Sequence, residues 1–300
     1  MVSSVKAKSW RELYPFEPKF IELESSADKS VKMNYIDEGP KDAPVLFMIH
    51  GNPTWSFYYR NLVLAFRKDF RCVVPDHIGC GLSDKPQDYD YTLAQRVKDI
   101  SKLAEHLELD NITMVVHDWG GAIGMGFAVE NADKIQRNVI FNTAAFLSER
   151  IPFSIAACRW PLVGPFMVRG FNAFVLAAQH RTVVNRDILK GVVGEGYVAP
   201  YNNWANRVAI QGFVDDIPMK SSHPTHGVLK TIGDRLERLK EKPMLLIWGN
   251  DDFCFNADFR MEWERRFPNA EVHSLDDASH YVVEEKTKEI IEWMHAFLEK

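Results

Sequence analysis

The chain has no long apolar run, and no hydrophobic stretch approaches the roughly 18 residues that a membrane-spanning helix needs. Lysine and arginine never form a block, and with a net charge of −5 the sequence does not indicate a nucleic-acid surface. The opening segment 1–16 lacks the apolar core of a secretion signal, so we expect a cytoplasmic protein. The few cysteines lack metal-ligand spacing and are expected to be free thiols: Cys72, Cys80, Cys158 and Cys254.

Short apolar segments separated by helical patterns run through both ends of the chain. Continuous apolar runs typical of strands buried on both faces lie at 45–49, 72–75, 112–116, 138–141 and 244–248. Two alternating segments, 20–24 and 31–36, suit an antiparallel pair at a sheet edge, joined by a polar turn at 25–28. Strands that alternate with helices predict an α/β fold, in which a mostly parallel sheet carries helices on both faces.

The strand pattern stops at about residue 147 and is not clear again before about residue 220. This stretch is rich in aromatic residues: Phe153, Trp160, Phe166, Phe171, Phe174, Tyr197, Tyr201, Trp204 and Phe213. We predict a helical cap over 147–220, inserted into a core domain made of 1–146 and 221–300. An apolar lid over a pocket would use these aromatics. The alternative is that they pack the interior of the cap, which we expect for most of them.

Residues 111–124 have the pattern of a strand, a sharp turn of small residues and a helix, which is typical of a nucleophile elbow. The G-x-S-x-G form of this motif has Ser in third place, whereas here Val116, Asp118 and Gly120 stand first, third and fifth. An Asp nucleophile forms a covalent ester with its substrate, and the missing Ser disfavours a serine esterase. The alternative is that Asp118 only caps the following helix, because Asp is favoured at N-caps.

Two further residues complete a candidate triad. Enzymes with such an elbow place nucleophile, acid and histidine in this order along the chain, and Asp118, Asp252 and His280 fit it. Asp252 would orient the imidazole and stabilise its charged form. Asp251 is the rival for this role, although the spacing from Gly249 favours Asp252.

Hydrogen-bond donors are expected around the nucleophile. The backbone N–H groups of Trp119 and of Asn52, which lies in the loop His50-Gly51-Asn52-Pro53, would hold the spare oxygen of Asp118. The indole of Trp119 and the amide of Asn52 are donors as well, and both should point into the pocket above Asp118. Two neutral donors in a dry apolar cavity suit a leaving anion such as halide, which gains charge in the transition state.

These motifs together resemble the haloalkane dehalogenases over nearly the whole chain. The resemblance rests on HGNPT at 50–54, VHDWGG at 116–121, the G-x-x-D loop at 249–252 and Ser279-His280. Some subfamilies carry a carboxylate after the strand that follows the elbow helix, but here that place reads Phe141-Asn142-Thr143-Ala144. The late acid and the donor pair of Asn52 and Trp119 are similar to the third subfamily.

Four other segments resemble the β-lactone decarboxylases that form olefins in bacterial long-chain hydrocarbon synthesis: NTAAF (142–146), FNAF (171–174), YVAPYNNW (197–204) and DIPM (216–219). The last three lie in or beside the predicted cap, which shapes the pocket. They therefore bear on the substrate more directly than the shared triad does.

The resemblance implies one framework for two reactions, with no metal or organic cofactor in either. In a dehalogenase, Asp118 attacks the carbon that bears the halogen, Trp119 and Asn52 take the halide, and water activated by His280 hydrolyses the ester. In a decarboxylase, Asp118 starts the conversion of a cis-disubstituted β-lactone into carbon dioxide and a cis-alkene. We interpret the chain as a haloalkane dehalogenase-like hydrolase, with the decarboxylase as the alternative.

Two further interpretations rank lower. An epoxide hydrolase would use cap tyrosines as proton donors, for which Tyr197 and Tyr201 are candidates, but such enzymes usually carry an aromatic in place of Asn52. A ligand-binding receptor that lacks catalysis would not need the intact triad. The expected partners are a small apolar electrophile and a halide ion, without nucleic acid. A homo-oligomer or a complex with enzymes of the same pathway is left open.

Overall fold

The computed structural model of the protein describes residues 8–24 and 30–300. Within them, the strands are β1 (Lys19–Glu24), β2 (Ser30–Glu38), β3 (Val45–Ile49), β4 (Arg71–Pro75), β5 (Ile112–Asp118), β6 (Ile135–Thr143), β7 (Met244–Gly249) and β8 (Glu271–Leu275). The helices are α1 (Arg60–Phe66), α2 (Leu93–His106), α3 (Trp119–Glu130), α4 (Phe153–Ala157), α5 (Val163–Pro165), α6 (Ala173–Arg181), α7 (Val192–Val198), α8 (Val208–Asp215), α9 (Pro224–Arg235), α10 (Ala257–Arg266), α11 (Val282–Glu285) and α12 (Thr287–Leu298).

All the strands belong to one sheet, in the order β1-β2-β4-β3-β5-β6-β7-β8. The pairs β1–β2 and β2–β4 are antiparallel, and every pair from β4–β3 to β7–β8 is parallel. The predicted α/β class and the antiparallel edge pair are therefore confirmed. The predicted turn at 25–28 lies outside the described residues.

The sheet separates two hydrophobic cores, because successive side chains of a strand point to opposite faces. In β3, Phe47 and Ile49 join a core with residues of α2 and α3. Leu46 and Met48 join the other core, with residues of α1 and α12. Every residue of β3 is buried, which explains why the strand reads as a continuous apolar run.

The chain does not become helical directly after the HGNP loop. Proline is common at the first position of a helix, but Trp55, two residues after Pro53, is still extended (φ −149°, ψ −177°). A 3₁₀ turn follows at Ser56–Tyr59, and α1 begins only at Arg60. The extended segment buries the Trp55 indole, whose N–H donates to the Gly196 carbonyl at 3.0 Å.

The stretch between β6 and β7 is helical in the described structure, with α4 to α8 over Phe153–Asp215 and no strand. All of these helices except α7 contribute walls to a cavity at the carboxyl end of the parallel strands, where ligands bind in sheets of this kind. Among the described residues, no helix is both long and apolar enough to span a membrane.

Candidate active site

Asp118 stands at the sharp turn between β5 and α3. It is the last residue of the strand, and α3 begins at the next residue, Trp119. Its backbone has φ 52° and ψ −132°, a conformation that costs on the order of 1–3 kcal/mol for a residue other than glycine. This turn thrusts the Asp118 side chain out of the sheet into the cavity.

Two glycines allow the backbone to approach this turn closely. A Cβ atom on Gly51 would overlap Oδ1 of Asp118, and a Cβ atom on Gly120 would overlap the Ile49 carbonyl oxygen. The small residues of the sequence pattern therefore have a steric cause.

The two carboxylate oxygens of Asp118 have different surroundings. The Asn52 backbone N–H donates to Oδ1 at 2.6 Å, and the backbone N–H of Trp119 also donates to the carboxylate. Oδ2 lies 3.6 Å from His280 Nε2. Burial raises the pKa of Asp118 above its usual value, although His280 and the two backbone donors oppose this rise. The Asn52 N–H thus holds one oxygen, and the other oxygen faces the histidine.

His280 is held from its other side by Asp252. The distance between His280 Nδ1 and Asp252 Oδ2 is 2.7 Å, and both side chains are buried. Burial alone would lower the pKa of His280, but Asp252 and Asp118 outweigh burial, so the pKa is raised. Asp251 is exposed, and its backbone carbonyl accepts from the Ser279 hydroxyl. The structure thus brings Asp252, rather than its rival, to the histidine.

Asn142 anchors Asp252, a role that the sequence alone did not indicate for it. Its Nδ2 donates to Asp252 Oδ2 at 3.0 Å and to the Gly249 carbonyl at 2.8 Å, while its Oδ1 accepts from the Gly249 N–H at 2.9 Å. The Cys254 N–H donates to Asp252 Oδ1 at 2.7 Å. Both oxygens of Asp252 are therefore fixed. The signal in the sequence that could have indicated this contact is a polar residue at the end of β6, the strand next to β7 and its following loop.

The side chains of Trp119 and Asn52 both line the cavity with Asp118 and His280. The Trp119 ring packs against Phe213, with 5.7 Å between centroids, and its indole N–H has no acceptor within the described structure. The Asn52 amide nitrogen donates to the Ile210 carbonyl of α8 at 3.4 Å, which leaves its second hydrogen for a ligand. The cavity thus presents two neutral donors beside the nucleophile.

The cavity has a volume of about 440 Å³ and a mostly apolar wall, which is within the range of small-molecule sites. Three of the four decarboxylase-like segments supply wall residues: Ala144, Phe146, Ala173, Phe174, Ile217, Pro218 and Met219. The fourth, YVAPYNNW, contributes none, because Tyr197 and Tyr201 are buried elsewhere.

Comparison with known proteins agrees with this geometry. Residues 44–287 match the family described as the alpha/beta hydrolase fold. The chain belongs to this family. A haloalkane dehalogenase from Bradyrhizobium elkani has the same fold, with a TM-score of 0.81 at 23% identity, covering 94% of this chain and 99% of that one.

The relatives of this α/β hydrolase include proteins named as decarboxylases and proteins named as haloalkane dehalogenases. It is 43% identical to the cis-3-alkyl-4-alkyloxetan-2-one decarboxylase of Shewanella oneidensis, over 95% of this chain and 89% of the relative. It is 40% identical to the Xanthomonas campestris protein of that name, over 96% and 97% of the two chains. A haloalkane dehalogenase of Mycolicibacterium paratuberculosis is 31% identical, over 95% of both. The chain is therefore a haloalkane dehalogenase-like enzyme, as its motifs predicted.

Tyr197 and Tyr201 of this α/β hydrolase do not reach the cavity. The Tyr197 hydroxyl donates to Glu284 Oε1 at 2.6 Å, and the Tyr201 hydroxyl donates to the Thr54 carbonyl at 3.3 Å. Burial raises the pKa of both hydroxyls well above the usual value. Neither lines the cavity, so the epoxide hydrolase interpretation loses the proton donors on which it depended.

Proposed function

We propose that this enzyme converts cis-3,4-dialkyl oxetan-2-ones into cis-alkenes and carbon dioxide, within its haloalkane dehalogenase-like framework. The observation that carries the proposal is the gap in identity: 43% and 40% to two decarboxylases, against 31% to a dehalogenase. The mostly apolar cavity supports it, since two alkyl substituents need an apolar wall. We also propose that 147–220 acts as a cap between the core segments 1–146 and 221–300.

The first step is a displacement by Asp118, acting as the nucleophile. Oδ2 bonds to ring carbon C4, and the bond from C4 to the ring oxygen breaks with its electron pair left on the oxygen. The product is an alkyl ester of Asp118 that carries a free carboxylate on C3. The Trp119 indole and the Asn52 amide, which line the cavity with Asp118, stabilise this new anion. A departing halide would occupy the same position, which is why one framework serves both reactions.

The second step is a decarboxylative elimination. The bond between C3 and the carboxylate breaks, and its electron pair forms the C3–C4 double bond as carbon dioxide leaves. The C4–Oδ2 bond breaks at the same time and returns its pair to the Asp118 carboxylate. Backbone donors of Asn52 and Trp119 then stabilise the restored anion. The displacement inverts C4, and the carboxylate and the Asp118 ester then leave in an anti elimination. Together these two steps keep the alkyl chains on the same side of the new double bond, which gives the cis-alkene.

Dehalogenation is the second candidate, and the position of His280 favours it. Its Nε2 lies 3.6 Å from the nucleophile, and Asp252 holds its other nitrogen at 2.7 Å. This arrangement suits a base that activates water against the ester. The decarboxylation uses no water, so in that reaction His280 contributes its charge beside Asp118 rather than a proton transfer.

The isotope of the solvent oxygen distinguishes the two reactions. The enzyme is incubated in H₂¹⁸O with 1-bromobutane or with a cis-dialkyl β-lactone. The mass of the peptide that contains Asp118 is then measured by mass spectrometry. Hydrolysis of the ester places ¹⁸O in Asp118, whereas the decarboxylation leaves it unlabelled while cis-alkene accumulates. The inactive variant Asp118→Ala is the control. Fast bromide release with an inert lactone would show that the proposal is wrong.

The remaining expectations concern the cellular setting. A cytoplasmic location stays a prediction, to which the free thiols of Cys72, Cys80, Cys158 and Cys254 lend support. Assembly as a homo-oligomer, or with enzymes that supply the lactone, also stays a prediction, which sedimentation of the purified protein would test.

A further inference from the structure

The apolar wall of the active-site cavity continues onto the outer surface of the cap. Trp160, Val163 and Met167 line the cavity and are also exposed to solvent. Of the fifteen large hydrophobic side chains exposed on the described surface, seven fall within residues 153–171: Phe153, Trp160, Leu162, Val163, Phe166, Met167 and Phe171. We call these seven side chains the cap rim.

Four of the rim side chains form two ring pairs. The rings of Phe153 and Trp160 are 6.0 Å apart at 80°, and those of Phe166 and Phe171 are 5.1 Å apart at 89°. Phe166 directly precedes Met167, so the second ring pair adjoins the cavity wall in the chain. An apolar surface of this kind costs free energy in water, and patches of this kind mark sites where something apolar binds.

The backbone holds one rim residue outward at a cost. Leu162 has φ 64° and ψ −47°, and the Val163 N–H donates to the Pro161 carbonyl at 2.7 Å. These values describe a γ-turn of the rare, strained type. The Leu162 side chain is nevertheless 86% exposed. A strained turn that presents a large apolar side chain to solvent indicates a functional constraint rather than a packing one.

The arginines of the same segment do not make the rim polar. The Arg159 guanidinium donates to the Ile217 carbonyl at 2.7 Å, and that of Arg169 lies over the Trp204 ring at 4.7 Å. Arg150 faces Asp258 at 3.7 Å. The charged groups are thus engaged with other parts of the protein, and a charged ligand is not favoured.

We propose that the cap rim is an outer binding site for the far end of a long alkyl chain whose reactive end lies at Asp118. This inference rests on the proposed function. The cavity of about 440 Å³ takes the reactive ring and the first part of each chain. A longer chain that leaves past Trp160, Val163 and Met167 meets the rim there, because these three side chains belong both to the cavity wall and to the rim. The rim therefore selects for chain length.

The test compares lactones with short and long alkyl chains. The variants are Phe166→Ser with Phe171→Ser, and Leu162→Ser alone, at rim positions outside the cavity wall. Matched controls are Phe20→Ser on β1 and Met261→Ser on α10, which are exposed elsewhere. We expect kcat/KM of the double variant for long-chain lactones to fall roughly tenfold, because KM rises. The physical reason is that a few methylene groups of the substrate lose the apolar side chains on one side. Short-chain turnover stays within about twofold, as expected for surface substitutions.

The outcomes separate the rim from the reaction. If the rim variants lower kcat/KM equally for short and long chains, the outer binding site is ruled out. Vesicle binding and self-association of the same variants are measured as well. Rim variants that change only these two properties would also rule out the outer site. If the wild-type protein converts no lactone, the proposed function has failed. The rim is then tested with 1-bromoalkanes of increasing length, and the same dependence on chain length would support it.

Discussion

At the scale of single residues, Asp118 determines the class of reaction. We expect Asp118→Asn to abolish turnover of lactones and bromoalkanes, by a factor of about 10⁴ or more, because an amide is not a nucleophile. The amide has the same shape, and its oxygen can still accept from the Asn52 N–H that now binds Oδ1. Burial of the charged carboxylate raises its pKa and disfavours it, so the melting temperature should not fall. A variant that melts well below the wild type would contradict this account.

His280 separates the two reactions at the same scale. With His280→Gln, hydrolysis of an alkyl ester should slow by roughly 10²–10⁴-fold, because the general base is gone. A bromoalkane should then leave a covalent adduct on Asp118, detected in the mass of the intact protein. Lactone conversion should fall far less, since its second step needs no water. An adduct that also accumulates from the lactone would show that the second step depends on His280, which would contradict this account.

The pH dependence follows from the pair of Asp118 and His280. Attack needs the carboxylate, and burial raises the pKa of Asp118. We therefore expect kcat/KM for the lactone to fall with decreasing pH, with a midpoint above that of an exposed aspartate. His280 lowers the pKa of Asp118, so His280→Gln should move this midpoint to higher pH. A shift to lower pH would contradict the electrostatic role of the histidine.

The residues of the candidate triad could be predicted from the sequence, but the residues that hold them in position could not. The order along the chain led to Asp118, Asp252 and His280, and the structure brings these side chains together. The order alone left Asp251 as a rival of Asp252, which the spacing from Gly249 favoured, because adjacent residues differ only in the direction of their side chains. That direction depends on Asn142, whose contacts with the Gly249 backbone cross between two strands. Such a contact has no signature in a local pattern.

At the scale of elements, Glu285 at the end of α11 connects the histidine loop to the cap. Its Oε2 accepts from the Ser279 N–H at 2.7 Å, next to His280. Its Oε1 accepts from the backbone N–H groups of Val184 and Asn185, at 2.7 and 3.1 Å, in the segment after α6. The Tyr281 N–H also donates to the Thr182 carbonyl, at 2.7 Å. The position of His280 therefore depends on the position of the cap.

We expect Glu285→Gln to weaken this connection, because the amide nitrogen cannot accept from a backbone N–H. Misplacing His280 should lower kcat for bromoalkane hydrolysis by about 10- to 100-fold with little change in KM. Faster hydrogen exchange at Ser279 and Val184 would identify the cause. The matched control is Glu289→Gln, exposed on α12. Unchanged kcat in Glu285→Gln would exclude the connection.

The strands were more predictable than the cap. Runs such as Val45–Ile49 lie between two helical layers, and burial on both faces leaves a direct mark on composition. The cap aromatics gave a less certain signal, and the expectation that most would pack its interior is wrong. Phe153, Trp160, Phe166, Phe171 and Trp204 are exposed. The aromatic content shows that apolar surface is present, but only the tertiary structure shows whether other parts of the protein cover that surface or leave it exposed to solvent.

At the scale of the whole molecule, a buried ionic cluster joins α7, which lies between β6 and β7, to α1 and α11. Arg60 of α1 pairs with Glu284 of α11, with 3.0 Å between Nη2 and Oε2, and both side chains are buried. The Tyr197 hydroxyl of α7 donates to the same carboxylate at 2.6 Å. Residues that are far apart in sequence thus share one charge, and we expect the cap and the core to unfold together.

Removing this carboxylate tests that expectation. Glu284→Gln leaves the buried Arg60 charge without its partner, which should lower the free energy of unfolding by about 3–5 kcal/mol. Tyr197→Phe removes one hydrogen bond and leaves the ion pair intact, so a loss of about 1–3 kcal/mol is expected. Urea titrations followed by tryptophan fluorescence and by circular dichroism should coincide for the wild type and for Tyr197→Phe, in which the ion pair is intact. Two separate transitions in Glu284→Gln would mean that the cap unfolds by itself, and that this cluster is what makes the molecule one cooperative unit. Equal losses in the two variants would instead show that the charge of Arg60 is solvated once the carboxylate is gone.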